Sequence, residues 1–408
     1  MKKSLFLLIL LICATLTGAK ERKTLFIILD GIIPQHIERL QPTTLMQIAH
    51  QGHYHRAYCG GEVGGYSETP TISAIGYTNI LTGTWMNKHN VRGNENQKPN
   101  YNYPTIFRIA KDQPRKLSTA IYSSWTDNRT VLLGEGKADT RNLKIDYVFD
   151  GYDLDKEQYP VQKEDLHIQA IDGRVCQEAA QCLKENAPDL NWIYLWYTDD
   201  AFHIHGNGTE ADRSILVTDQ QLKPVWEAIK YREKNYDEEW LVIVLTDHGR
   251  EPRWGKGHGG QTQSERSVWM ITNQKKVNAQ FFRSTLSHAD VLPSICQWMG
   301  FQVPRDVQFE QDGISFIGQT DIYELQTETY DETVTLTWKH CGGNEMAEVY
   351  LSTTNHFNTG GKDLWTKVAE VPAKDGNCQI DLRPYGKSDF YKFAVKTPHV
   401  TLNRWLKK

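Results

Sequence analysis

The chain contains no Cys-x-x-Cys pair, no block of basic residues and, after its first 19 residues, no apolar run of membrane-spanning length. The first absence argues against zinc held by cysteine thiolates. The second, with a formal net charge of −4, removes the electrostatic footprint of a nucleic-acid-binding protein. The third leaves no membrane span in the body of the chain. Cysteine is scarce, at seven residues in 408, and Met1–Ala19 contains Cys13. That segment, MKKSLFLLILLICATLTGA, has two lysines, an apolar core, and Thr17 and Ala19 at the −3 and −1 positions. It reads as a secretory signal cut near Ala19, so a periplasmic or secreted protein is expected. Ile12 before Cys13 departs from a lipoprotein cleavage pattern. Of the six remaining cysteines, Cys341 and Cys378 form the most credible disulfide, whereas Cys176 and Cys182 on one helix suit a bridge poorly.

What is present is an ordinary globular composition, 39% hydrophobic and 24% charged, in a chain long enough for two cores. Thr24–Leu29, Leu117–Tyr122, Asn191–Tyr197, Leu241–Leu245 and Ser267–Ile271 read as strands, the first a continuous apolar run of the kind buried on both faces. Thr43–Gln51, Asp165–Lys184, Asp212–Arg232 and Ala289–Met299 read as helices, with Pro224 expected to kink or interrupt the third. This alternation predicts an α/β fold, a mostly parallel sheet sandwiched by helices, over residues 20–322. Residues 323–408 change character. Val334, Leu336 and Trp338 alternate with polar residues, as do Tyr391, Phe393 and Val395, which predicts a β-sandwich of fibronectin type III-like size.

The chemistry gathers at predicted strand ends. Thr246-Asp247-His248-Gly249 follows an apolar strand, so two metal-ligating side chains leave the carboxyl edge of the sheet, where active sites of open α/β sheets lie. Asp30 ends the first strand, beside Gly31. Asp199 and His203 stand four apart, one helical turn, after another strand. His258 lies in the glycine-rich Gly257-His258-Gly259-Gly260. Taken singly, Asp30 and Ser73 read as helix caps, and any one of the histidines as a surface or core residue. Six candidate ligands at the ends of separate elements point instead to a metal centre.

In order and spacing, Asp30, a hydroxyl residue nine before Thr82-Gly83, His89 in KHNV, Asp199-x-x-x-His203-x-x-Gly206 and Asp247-His248-Gly249 resemble the alkaline phosphatase superfamily, most closely its nucleotide pyrophosphatase/phosphodiesterase branch, over about residues 24–300. The resemblance implies two zinc ions. One would be held by Asp199, His203 and His258, and the other by Asp30, Asp247, His248 and the Ser73 oxygen, with His288 as the alternative to His258. It also implies attack by Ser73 on the phosphorus of a small-molecule phosphate ester, a nucleotide among the candidates, through a phosphoseryl intermediate.

There are departures from that branch. Ser73 stands where its enzymes carry threonine, and Gly76 where an asparagine that binds the phosphoryl oxygen is expected three residues later. Ile75 and Tyr77 replace the Pro and Arg that formylglycine formation needs, which disfavours a sulfatase. A phosphomonoesterase is the competing enzyme reading, and a non-catalytic exported binding protein the competing class. The loops Trp125–Arg129 and Arg250–Gly257, with Arg253, Trp254 and Lys256, are candidates for substrate contact.

Overall fold

The computed structural model describes residues 20–95 and 97–407, so the expected signal Met1–Ala19 lies outside the described residues. Seven strands form one sheet: β1 (Glu21–Leu29), β2 (His53–Tyr58), β3 (Thr119–Ser123), β4 (Tyr147–Phe149), β5 (Leu190–Leu195), β6 (Glu238–Leu245) and β7 (Ser267–Thr272). Their order is β2-β7-β6-β1-β5-β3-β4. Strands β6, β1, β5, β3 and β4 run parallel, whereas β7 is antiparallel to β6 and β2 to β7. The expected mostly parallel sheet is present, with an antiparallel edge.

The apolar run of β1 divides by parity. Phe26 and Ile28 enter the core shared with helices Ser73–Thr82, Ile106–Lys111 and Val291–Met299, while Leu25, Ile27 and Leu29 enter the core shared with Thr43–Gln51, Leu166–Glu185 and Thr209–Asn235. Both faces are covered, which is why the strand reads as unbroken hydrophobicity rather than alternation. Helix Thr209–Asn235 continues through Pro224, so the interruption that was one of the two expected outcomes does not occur. Leu222, Val225, Trp226 and Ile229 around the proline are buried against the sheet. That packing offsets the ~3 kcal/mol that an interior proline costs a helix.

The C-terminal strands form a sandwich. β11-β10-β13-β14 make one antiparallel sheet and β12-β9-β8 the other, with β8 Ile322–Tyr330, β9 Thr333–His340, β10 Met346–Ser352, β11 Thr366–Pro372, β12 Asn377–Asp381, β13 Phe390–Lys396 and β14 Thr401–Lys407. Val334, Leu336, Trp338, Tyr391, Phe393 and Val395 fill its core, as the alternation predicted. One polar partner on β13 nevertheless does not face water. Lys392 is buried on the opposite face, its Nζ 2.5 Å from Glu310 Oε1 and 2.7 Å from Asp363 Oδ2. Beside it Lys88 Nζ, also buried, reaches Asp312 Oδ1 (2.6 Å) and Asn403 Oδ1 on β14 (2.9 Å). The outer face of the four-stranded sheet therefore rests on the α/β unit through two buried ammonium groups.

The expected Cys341–Cys378 disulfide is not formed; all six described cysteines are free thiols. Cys378 pairs in register with Leu336 and points into the sandwich core, whereas Cys341 lies five residues further along, just past the end of β9. Five residues of strand place them about 16 Å apart along β9, far beyond disulfide reach. No helix among the described residues is long and apolar enough to cross a membrane.

Replacing Lys392 by alanine strands the Glu310 and Asp363 carboxylates without their cation in a buried interface. The expected loss is about 3–5 kcal/mol of unfolding free energy, measured by urea denaturation. A loss within 0.5 kcal/mol of zero contradicts this role for the buried ammonium.

Candidate metal centre and serine site

Strands β1, β5 and β6 lie side by side, and their carboxyl ends deliver the chemistry. Asp30 follows β1, helix Tyr197–His205 with Asp199 and His203 follows β5, and Asp247-His248 follows β6. All are held by short contacts. Thr198 Oγ1 donates to the Asp30 carbonyl (2.6 Å), Asp247 Oδ1 accepts the Gly31 N–H (2.9 Å), and Thr246 Oγ1 accepts the Ile32 N–H (2.9 Å). Gly31 has φ +66°, and a Cβ there would collide with the guanidinium of the buried Arg250. The glycine is required by that close approach as well as by the turn.

Ser73 is the first residue of its helix rather than its cap. Ile72 holds the cap position, and no side chain caps the end. The Ser73 hydroxyl is thus left to the site, where Oγ lies 3.2 Å from His248 Nε2. Around that nitrogen stand Asp30 Oδ1 (3.2 Å), Asp247 Oδ2 (3.4 Å) and Asp199 Oδ1 (3.8 Å). A second group adjoins it, with His203 Nε2 3.1 Å from Asp199 Oδ2 and 3.2 Å from His258 Nε2. The ligand atoms of Asp199, His203 and His258, and those of Asp30, Asp199 and His248, each fall within 4.8 Å of one another. Asp199 belongs to both groups.

The donor set suits cations. His248 Nδ1 donates to the Gly249 carbonyl (2.9 Å) and His258 Nδ1 to the Thr71 carbonyl (2.8 Å), which turns both Nε2 atoms toward the carboxylates. Asp30 Oδ1 and Asp247 Oδ2 are buried with no hydrogen-bond partner. Acceptors crowded in this way are unfavourable unless positive charge, from a protonated imidazole or a cation, lies between them. Electrostatics report the same crowding. Burial and the neighbouring Asp30 push the Asp247 carboxyl well up. Burial opposes a charge on His248, but Asp247 and Asp30 outweigh it and raise the imidazole to about 9. Burial and His248 lower His258 to about 3. Asp199 is pushed up by burial, yet Arg250 and His203 hold it below the usual carboxylate range.

All seven site residues read from the sequence meet here. His288, the alternative to His258, instead donates from Nε2 to the Thr246 carbonyl (2.9 Å), behind the Asp-His pair. His89 is buried against Asn79 Oδ1 (2.8 Å), away from the cluster. Arg129, in the first candidate loop, is tied to Asp150 and Glu135.

Three contributors were missed, and a fourth, Arg250, named as the start of a candidate substrate loop, takes a different part. Tyr194 donates to Asp30 Oδ2 (2.6 Å), and Tyr77 reaches the same oxygen. Arg250 binds the Asp199 carboxylate and the Gly31 carbonyl. Asn94 accepts the Ala74 N–H at 3.0 Å, beside Ser73. Gly76, the expected place for an asparagine, cannot hold one, because a Cβ there would lie 2.7 Å from the Asp247 carbonyl. Of these, only the arginine had a sequence signal, its adjacency to Asp-His-Gly.

Among solved structures, a 2-O GAG sulfatase is similar over 90% of this chain and 86% of its own, with a TM-score of 0.53 and 13% identity. A phosphonate monoester hydrolase of Agrobacterium radiobacter aligns over 94% of this chain and 89% of its own, with a TM-score of 0.49 and 13% identity. No curated protein sequence matches. The sequence profile of the type I phosphodiesterase / nucleotide pyrophosphatase family matches residues 24–256, more than half of the chain and every element that meets at this site except His258. The chain therefore belongs to the type I phosphodiesterase / nucleotide pyrophosphatase family.

Proposed function

We propose that the protein is an exported hydrolase of small-molecule phosphate diesters that uses Ser73 as nucleophile and two zinc ions as cofactors. The observation that carries the reading is one serine hydroxyl, uncommitted to capping, 3.2 Å from an imidazole on which three buried carboxylates converge. Asp30, Asp247, His248 and the Ser73 oxygen would hold one ion; Asp199, His203 and His258 would hold the other. When bound, the ions supply positive charge that lowers the cost of ionising a serine hydroxyl and of loading charge on phosphoryl oxygens.

The chain's own groups do the rest. Ser73 sits at the start of a 10-residue helix whose N-terminal dipole favours anions. Its Oγ gives its proton to solvent and attacks phosphorus in line as the bond to the departing oxygen breaks, and that oxygen takes a proton from solvent to leave as the alcohol. Water then cleaves the phosphoserine and returns a proton to Oγ. Asn94, its side-chain oxygen fixed on the Ala74 N–H, offers its amide N–H groups to a phosphoryl oxygen. Tyr194, Tyr77 and Arg250 keep Asp30 and Asp199 in position. Export is supported by the signal-like Met1–Ala19, and the mature protein is expected to begin at Lys20 on N-terminal sequencing. Retention of Met1 in material from the producing cell excludes cleavage.

Zinc-supplemented protein is expected to turn over bis-p-nitrophenyl phosphate faster than p-nitrophenyl phosphate. Turnover of the monoester alone would falsify the diesterase reading. Ser73→Ala should lower kcat by at least about a thousand-fold with zinc content retained, as judged by elemental analysis. Less than one zinc per chain in the wild type favours the non-catalytic class.

A proton on His248, raised to about 9, occupies the site in the metal-free chain at pH 7 and must leave when a cation binds. Zinc affinity is therefore expected to fall as pH drops below 9. At pH 7 binding should release at least one proton, read by calorimetry in buffers of different ionisation enthalpy. Heats independent of the buffer contradict this.

A further inference from the structure

The helix that presents Asp199 and His203, Tyr197–His205, has no side-chain cap of its own. Trp196 holds the cap position, and an indole offers no acceptor to the free backbone N–H groups there. The acceptor comes from helix Leu166–Glu185. Asp172 Oδ1 accepts the Trp196 N–H (3.1 Å) and Asp172 Oδ2 the Tyr197 N–H (2.9 Å). The hydroxyl of Ser124, one residue past β3, also donates to Asp172 Oδ1. One carboxylate thus joins its own helix, the end of β3 and the turn from β5 into the ligand helix. Asp172 is fully buried beside Ile168, Ile171, Val175 and Ala179 of its helix, and no cation pairs with it among the described residues. A carboxylate in such a place is unfavourable unless N–H and O–H donors hold it, and two of its donors are the start of the ligand helix. The far end of that helix is fastened by the loop before His258. There the Trp254 carbonyl accepts the Asn207 N–H (2.8 Å), and Lys256 Nζ donates to the Ile204 carbonyl (2.7 Å).

We propose that Asp172 is a positioning residue for the cation held by Asp199, His203 and His258; this rests on the metal-site reading above. The Asp199 N–H bonds to the Trp196 carbonyl (3.0 Å), so the backbone that Asp172 grips is the backbone from which the first ligand hangs. His203 follows one turn later, its Nε2 3.1 Å from Asp199 Oδ2, a separation kept only while that first turn stays wound. Asp30, Asp247 and His248 leave the ends of β1 and β6 and are tied to one another there, with no bond to Asp172. The carboxylate therefore bears on one ligand group more than on the other. An asparagine in its place keeps the size and one acceptor oxygen. It turns an amide N–H2 toward a backbone N–H that the carboxylate accepted, which loosens the first turn without opening a cavity. Removing partners that orient metal ligands typically lowers metal affinity by about 10–100-fold.

The test is zinc titration of the full chain against a chromophoric chelator, with the visible absorption of bound cobalt(II) as a second readout. In Asp172→Asn one ion should bind about 10–100-fold more weakly and the other within about three-fold of wild type, and the cobalt absorption of the weakened ion should change. Ser124→Ala leaves both carboxylate oxygens in place and should act on the same ion to a smaller extent. It carries the test if Asp172→Asn does not fold, as judged by thermal melting. Asp219→Asn controls for general loosening. Asp219 caps helix Thr43–Gln51 in the same way, accepting the Thr44 N–H (3.0 Å) and the Leu45 N–H (2.8 Å), and that helix carries no ligand. Wild-type affinity for every bound ion in Asp172→Asn, or in Ser124→Ala where that variant carries the test, overturns the positioning role. So does an equal loss in Asp219→Asn, or equal weakening of both ions. A wild type that binds no zinc overturns this role and the metal-site reading together. A wild type that binds zinc but cleaves no phosphate ester overturns the hydrolytic reading alone, and a loss confined to one ion in Asp172→Asn then still supports the positioning role.

Discussion

Asp30, Asp199 and Asp247 place three carboxylates at the adjoining ends of three parallel strands, all of them buried. Like charges so close cannot all remain ionised in a water-poor site without counter-charge. The surrounding structure is arranged around that requirement. Arg250 gives Asp199 a permanent partner, and Gly31 lacks the Cβ that would keep the guanidinium out. Two phenols satisfy one oxygen of Asp30, and the Gly31 N–H one oxygen of Asp247. The oxygens left over face His248 and Ser73. The proposed cations would complete this balance, and the hydroxyl is where a substrate could meet it.

The same logic recurs where the sandwich meets the α/β unit. Lys88 and Lys392 are buried, and each is matched by a buried carboxylate from the segment 310–312 that leads into the sandwich. Breaking a paired charge in such a place costs far more than the pair itself contributes, so the junction tolerates little rearrangement. One sheet face therefore packs inward on its own core while the other packs on the neighbouring unit. The sandwich is thereby a fixed part of the molecule rather than a tethered appendage.

Much of this was legible in the chain. Apolar runs ending in Asp or Asp-His marked both the buried strands and the ends where chemistry gathers, because a strand covered on both faces leaves only its end to bear polar groups. Thr43–Gln51 has the predicted bounds, and β1, β6 and β7 contain theirs. Less was legible wherever a contact is long-range. Pro224 signalled a kink or an interruption, and the helix runs on through it where its neighbours are packed. Lys392 fits an alternating strand, but its burial depends on the Glu310 and Asp363 carboxylates that other segments bring to it. Cys341 and Cys378 were paired by shared membership of one region, when strand register sets them far apart. Asn94 carried no signal, since its contact with Ala74 depends on how an intervening loop folds back.

The sequence by itself determined the parallel-sheet architecture, the sandwich that follows it, and which carboxylates and imidazoles were available, since periodicity and strand-end residues are local properties. Only the tertiary structure decided that Asp199 is shared between two ligand groups, that His258 and not His288 joins His203, and that Arg250 lies buried against Asp199. Those outcomes depend on distances between segments up to 218 residues apart, such as Asp30 and His248. Such distances are fixed by sheet order and close packing, which no local pattern encodes.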